Sequence, residues 1–503
     1  LKPLKRLLIT GFLIQLLCTS VSSQNVLTAE NMALGGGGAS YLTGFESLFL
    51  NPANLYIREK NYKLQISLLK GGAYFDSALP IPNNGDRFSQ FRSTLMPYGS
   101  SEQSRIINET DRERLVDRIF PGTRQQVSSM QSLTDLYWFG LKWNLEDRSY
   151  AVALRTRSVS FYELGRGFFT DEPTERGDRL QVNRSFRHQF QSLHELSFGY
   201  AESFTFLNGQ NPRLAEFIIG IAPKLVMGGS YLDVRYRDRY SIGESDGLWQ
   251  RETRFSQLSS GYFSGGAGGP FSGLSDGNLT DIFRPSAFGA GLDIGITYLI
   301  TFGSDLSTLR REDVPTEKSL RFSFSVTDLG AVYHYRSTRK DTAPDGEEET
   351  SETGELSELS FLGAPGEHLS FLSQFAETPF ENINRSSNNA FATSLPATLN
   401  LGALFQIDRL KLMGDISYSI AKTAFAANFP VAYLGLEIRP LPFIPIRAGT
   451  RLAPRMPGYY SFGGGVETTY FDITAAIQLR SSSIGPTTEI LGASLVGIKF
   501  YLQ

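Results

Sequence analysis

Thiols, histidines and long apolar runs are all scarce in this chain. Of its 503 residues one is cysteine, Cys18, and four are histidine: His188, His194, His334 and His368. A lone cysteine excludes disulfides within the chain and cysteine-based metal or redox sites. Only His188 and His194 lie close in sequence, and on an extended strand that spacing separates them by about 20 Å, too far to share a metal. No P-loop, GxSxG or HExxH motif occurs, so neither a cofactor nor catalysis is expected. Positive charge is not in surplus either. With 48 basic against 51 acidic residues the net charge is −3, and the basic clusters are scattered, which disfavours nucleic acid as a partner. Beyond Gln24 no apolar stretch reaches the roughly 18 residues that a membrane-crossing helix requires. A transmembrane strand needs only about 9–11 residues and keeps one face polar, so the membrane stays open as a location.

The chain opens with Lys2, Lys5 and Arg6, an apolar run over 7–17, and the small residues Val21, Ser22 and Ser23. That pattern predicts a cleaved secretory signal peptide over 1–23. Leu17 stands before Cys18 where a lipidation site would want a small residue. Removing 1–23 takes the only thiol and leaves a net charge of −6.

Period-two alternation dominates most of the remaining chain. Phe471, Ile473, Ala475, Ile477 and Leu479 share one face, with Asp472, Thr474, Gln478 and Arg480 on the other. Helical spacing cannot separate residues in that way. Segment 318–327 sets Leu320, Phe322, Phe324 and Val326 against Arg321, Ser323, Ser325 and Thr327, and 288–300 sets Phe288, Leu292, Ile294 and Ile296 against Gly289, Gly291, Asp293 and Gly295. Extended through the chain, the pattern predicts fourteen strands: 62–73, 134–145, 149–161, 191–206, 214–240, 286–302, 318–336, 396–407, 409–420, 430–439, 443–452, 459–467, 469–480 and 488–502. Short connections such as Asp408-Arg409 alternate with long ones at 74–133, 162–190, 241–285 and 337–395. An even strand number with short turns at one end and long loops at the other describes an all-β, transmembrane antiparallel barrel over 61–503. A soluble sandwich would alternate too, but its strands average about 5–6 residues. Tyr62, Trp138, Trp143, Tyr150, Tyr298 and Tyr501 are expected in aromatic girdles at the two membrane interfaces.

Residues 24–60 break the pattern. They contain Gly35, Gly36, Gly37, Gly38 and Ala39, then Asn51, Pro52 and Ala53 just before the first strand. Four glycines permit backbone angles and close approaches that other residues forbid, and Pro52 stops any regular element. With Thr327-Asp328-Leu329-Gly330, the run 446–451 and Ser461-Phe462-Gly463-Gly464-Gly465, these motifs make the chain resemble FadL-like outer-membrane barrels, and within them the PorV-like and other Bacteroidota members. The resemblance implies a 14-stranded barrel with an N-terminal hatch inside the lumen. It also implies an outer-membrane channel or transporter for hydrophobic or amphiphilic small molecules, gated by the segment that carries those glycines and Asn51-Pro52-Ala53. The alternative it leaves is a PorV-like adaptor that holds a protein partner at the extracellular loops.

Three further features remain. Pro223 with Gly228 and Gly229, in the over-long fifth strand, is the expected wall kink. Arg235, Arg237 and Arg239 alternate with Leu232, Val234 and Tyr236 and are expected to line the lumen mouth, to touch lipopolysaccharide phosphates, or to pair with acids inside the barrel. Residues 101–120 read as a helix ended by Pro121-Gly122, and the acidic stretch 341–358 as a solvated loop without calcium-binding spacing.

Overall fold

The computed structural model describes residues 26–60, 62–77, 120, 127–145, 148–168, 174–176, 179–204, 215–243, 248–261, 284–302, 318–342, 349–355, 384–387, 389–421, 423–425, 429–453, 458–480 and 490–502. Fourteen strands form a ring: β1 (Leu64–Ser77), β2 (Val127–Asn144), β3 (Arg148–Gly165), β4 (Phe186–Phe204), β5 (Ala215–Gly243), β6 (Ala287–Thr301), β7 (Lys318–His334), β8 (Thr398–Ile407), β9 (Leu410–Ser419), β10 (Val431–Leu441), β11 (Ile444–Leu452), β12 (Tyr459–Glu467), β13 (Phe471–Arg480) and β14 (Ile490–Leu502). Each is antiparallel to both neighbours, and β14 pairs back onto β1 from Leu64↔Leu502 to Tyr74↔Gly492. Closure leaves no edge strand for hydrocarbon to meet. The count and order are those the alternation predicts.

Along β3 the inward residues Ala151, Ala153, Arg155, Arg157, Val159 and Phe161 are buried, while Tyr150, Val152 and Leu154 face outward. The outward positions of the ring are apolar and exposed, among them Phe322, Phe324, Leu401, Ile416, Leu434 and Ile477. In water that surface would be costly; in a bilayer it is the matching face, and this is a transmembrane barrel. Among the described residues no helix is long and apolar enough to cross a membrane.

The structure corrects two expectations. Tyr62 and Tyr501 point into the lumen, buried, with ring centroids 4.9 Å apart: Tyr501 takes the inward parity of β14 with Lys499, and Tyr62, just before β1, folds in against it. Trp138 and Tyr298 are exposed outward, and Trp143 stacks on Tyr150 at 5.3 Å. Parts of the expected long loops are strand: Arg179–Asn183, Leu248–Ser260, Thr338–Thr342 and Phe391–Ser394 extend the wall at the long-loop end. The expected signal peptide, the helix over 101–120 apart from Phe120, and His368 lie outside the described residues.

Candidate functional site

The lumen is filled by the chain's own residues 26–57. A short helix, α1 (Ala29–Ala33), leads to Gly35, Gly36 and Gly38, whose φ values of +90°, +104° and +85° only glycine adopts without strain. Asn31 Nδ2 holds that turn by donating to the carbonyls of Val26 and Gly36, at 2.8 and 3.1 Å. Two single-turn 3₁₀ elements come next, Phe45–Phe49 and Pro52–Tyr56. Asn51 accepts from the Ala53 amide at 3.2 Å and Pro52 occupies the first position, where its missing N–H costs nothing. The Asn51 side chain also donates to Thr297 Oγ1 on β6 at 2.9 Å and to the Ala39 carbonyl at 3.2 Å. Asn54 Nδ2 donates to the same Ala39 carbonyl at 2.8 Å.

The wall is notched to receive this segment. A Cβ at Gly140 would enter the Phe45 ring, at Gly199 the Leu48 side chain, at Gly220 the Pro52–Ala53 backbone, and at Gly449 the backbone of Leu34 and Gly35. A Cβ at Gly295 would meet the Asn51 side chain. On the segment's side, a Cβ on Gly37 would lie 2.7 Å from Asp415 Oδ2, and one on Gly35 2.6 Å from the Thr450 carbonyl. The sequence pattern points to the N-terminal glycines alone for close approach. The wall glycines are visible there as small residues on inward parity, but only the folded register shows which side chain each admits. Phe45, Leu48, Phe49 and Leu55 then join Tyr137, Ala153 and Phe161 of the wall in one buried apolar cluster.

Charge fastens the segment, and residues 58–60 that follow it, to the wall. Glu30 and Glu46 are both gripped by Lys70 of β1 and Lys499 of β14: Lys70–Glu30 is 2.6 Å, Lys499–Glu30 2.9 Å and Lys499–Glu46 3.1 Å, with Lys70 also bonding Glu46. Tyr41 donates to Glu437, which Arg447 holds at 2.6 Å while its other nitrogen holds Glu467 at 2.5 Å. Arg439 bonds the same two glutamates at 2.8 and 2.6 Å. Glu59 accepts from Lys411 at 2.9 Å, and Lys60 pairs with Asp472. Burial by itself would raise the pKa of Glu30, Glu46 and Glu59, but the neighbouring lysines and arginines pull all three below the ordinary carboxylate value. Higher in the lumen the Leu27 amide donates to Asp135 at 3.0 Å, the first link of a buried chain through Arg155, Glu195, Arg157, Asp328, Lys224 and Asp293. Near the short-turn end a polar cavity of about 50 Å³ is lined by Glu30, Tyr41, Lys60, Tyr62, Arg447 and Tyr501.

The other candidate residues fall elsewhere. At Pro223 the β4–β5 ladder lapses between Ser197↔Lys224 and Tyr200↔Ile221, and at Gly228 the register shifts before Tyr231, with Gly229 in the bulge. Arg235 donates to Asp233 at 2.7 Å and is more than half exposed; Arg237 is half-buried beyond it, and the side chain of Arg239 lies outside the described residues. His188 is buried and stacked on Tyr162 at 4.0 Å, whereas His194 Nδ1 pairs with Thr156 Oγ1 at 2.9 Å on the outer face. Among the described residues no group of three or more His, Cys, Asp or Glu is arranged to hold a metal.

A family model described as a family of unknown function, DUF5723, matches residues 82–438. No curated protein matches the chain. Among solved structures it is similar to a deltaS2S3 mutant of the TodX monoaromatic hydrocarbon channel, at 11% identity over 95% of this chain and 98% of that one, with a TM-score of 0.45. It is also similar to the toluene transporter TodX of P. putida, at 13% identity over 95% and 97% with a TM-score of 0.40. A FadL homologue of Pseudomonas aeruginosa matches at 10% identity over 96% and 100%, with a TM-score of 0.38.

Proposed function

The chain belongs to the DUF5723 family, and from that premise we propose that it is an outer-membrane channel for hydrophobic or amphiphilic small molecules, with residues 26–57 as its hatch. The observation that carries this is the way the lumen is closed. The hatch is bound by side-chain ion pairs, hydrogen bonds and glycine notches rather than by strand pairing among the described residues. Each of those contacts is reversible, and their combined displacement would free a lumen spanning the barrel. A ligand enters at the long-loop end, the hatch rearranges about Gly35–Gly38, and the ligand leaves through the lumen or sideways through the wall. The lapse of pairing at Pro223 is one weak point for a sideways exit. The exposed apolar exterior suits a bilayer, and for a bacterial barrel exported by the expected signal peptide that bilayer is the outer membrane.

Deleting residues 31–55 raises the permeability of reconstituted vesicles to hydrophobic probes; unchanged flux sinks the gating role. The seal itself favours a second reading, a non-transporting PorV-like adaptor, because Phe45, Leu48 and Asn51 of the hatch are wholly buried. A stoichiometric protein partner recovered from solubilised outer membranes supports the adaptor, and a partnerless monomer carrying bound lipid supports transport.

A further inference from the structure

On the outer face of the barrel the apolar covering is uneven. At the long-loop end of β6 and β7, Phe288 pairs across with Tyr333, and Tyr335, just past β7, stacks on Phe288 with ring centroids 5.9 Å apart. All three rings are about half exposed, whereas Val332 and His334, on the opposite parity of β7, are buried. The next row towards the membrane centre is small: Ala290 pairs with Ala331, and Ala331 with Ser394, all exposed. Leu292 and Leu329 restore large side chains one row further on. With strands about 4.8 Å apart, the small residues leave a furrow roughly 10 Å long between the rings and the leucines. It continues upward beside Tyr333 through Ala392, which is also exposed.

Beyond the rings the surface changes character. Arg284 precedes β6 and Arg336 follows β7; both are exposed, and among the described residues neither forms an ion pair. Their strand ends are held together, since the Arg336 amide donates to the Ser286 carbonyl at 3.3 Å. The turn that follows is fixed as well, because Ser337 has a φ of +50° and its carbonyl accepts from the Gly261 amide at 3.1 Å. Arg235 differs, being bound to Asp233. Two exposed guanidinium groups on adjoining strand ends, with no acid to neutralise them, present forked donors that suit a phosphate. Interfacial aromatics directly beneath set that phosphate at headgroup depth, and the furrow offers a bed for a chain of the same molecule. In a bacterial barrel the long loops face outward, so the headgroup belongs to the outer leaflet.

We propose that the outer face of β6 and β7 binds a phosphorylated glycolipid of the outer leaflet, with its phosphate on Arg284 and Arg336 and an acyl chain along Ala392, Ser394, Ala331 and Ala290. The site lies outside the lumen and holds whether or not the lumen conducts. The test titrates diphosphoryl lipid A onto the purified full chain in detergent and follows bound lipid by native mass spectrometry. Arg284→Ala/Arg336→Ala is compared with Lys318→Ala/Arg409→Ala, which removes the same charge at the short-turn end. The expected result is at least a tenfold loss of apparent affinity in the first variant and less than a twofold loss in the second. Phosphatidylglycerol should bind the unsubstituted protein at least fivefold more weakly than lipid A. No lipid A bound, unchanged affinity in the Arg284/Arg336 variant, or equal losses in the two variants overturns the site. Equal affinity for phosphatidylglycerol overturns the glycolipid assignment. A second measurement needs no variant: phenylglyoxal modification of the unsubstituted protein, mapped by peptide. Lipid A should shield Arg284 and Arg336 and leave Arg409 reactive, while inorganic phosphate at the same concentration shields none of the three. Equal shielding by phosphate reports a site for the free ion and overturns the lipid, and shielding of all three by lipid A reports coating by the lipid and overturns the site.

Discussion

Phe45 of the lumenal segment 26–57 lies over Gly140 of β2, where any side chain on the wall would enter its ring. The contact joins a fully buried aromatic to a position that only a hydrogen atom can occupy. Gly140→Ala should therefore unseat the hatch, with part of the roughly 3–5 kcal/mol attached to losing a buried phenylalanine. Limited proteolysis within 26–57 should rise sharply. Gly414→Ala is the matched control, since a Cβ there would meet only Leu434, at 3.7 Å. Equal protease resistance in the two variants would show that the notch is not needed.

Arg447 holds Glu437 and Glu467 together beneath Tyr41. Arg447→Met leaves Arg439 as the main cation for two buried carboxylates, a loss of about 3–5 kcal/mol for a broken buried network. The temperature at which the folded barrel loses its fast electrophoretic mobility should fall clearly. A shift of a degree or less would mean that Arg439 suffices.

Asn51 supports its own turn and ties the hatch to Thr297. Asn51→Ala removes these bonds and leaves the buried Ala39 carbonyl with one donor fewer, a cost of roughly 1–3 kcal/mol. Amide exchange over 51–57 should quicken while exchange in β6 stays unchanged, and parallel acceleration in both would point to damage of the barrel itself.

Three carboxylates in and just after the lumenal segment set an acid limit. Burial opposes ionisation of Glu30, Glu46 and Glu59, but their lysine and arginine partners prevail and their folded pKa values lie below the unfolded 4.5. A carboxylate depressed on folding contributes stability that is complete above the unfolded value and is lost as pH falls through the lower folded one. The hatch should stay seated from neutral pH down to about 4.5 and loosen only below it. Protease sensitivity of 26–57 measured against pH checks this; release at pH 6 would contradict it.

Much of the architecture is legible in the sequence because β alternation is local. Each strand carries its own inward and outward faces, so fourteen strands and their turns can be drawn without knowing their neighbours. Gly35–Gly38 and Asn51-Pro52-Ala53 stand out for the same reason, as short-range departures from the pattern. Tyr62 and Tyr501 are misplaced by sequence because an aromatic near a strand end suits either a girdle or the lumen; Tyr501 takes the inward parity of β14, whereas Tyr62 lies before β1, where alternation no longer applies. Arg235, by contrast, pairs within its own strand with Asp233, a separation that sequence can suggest.

The sequence by itself determined a closed transmembrane barrel and an N-terminal segment unlike the wall, because periodicity and composition act over a few residues. Only the tertiary structure decided that Glu30 and Glu46 meet Lys70 and Lys499 and that Phe45 needs Gly140. Those facts depend on how the ring closes and staggers, which brings together positions hundreds of residues apart. The scarcity of cysteine, histidine and apolar runs fits that outcome, since the groups that seat the lumenal segment against the wall include glycines, lysines, arginines and carboxylates.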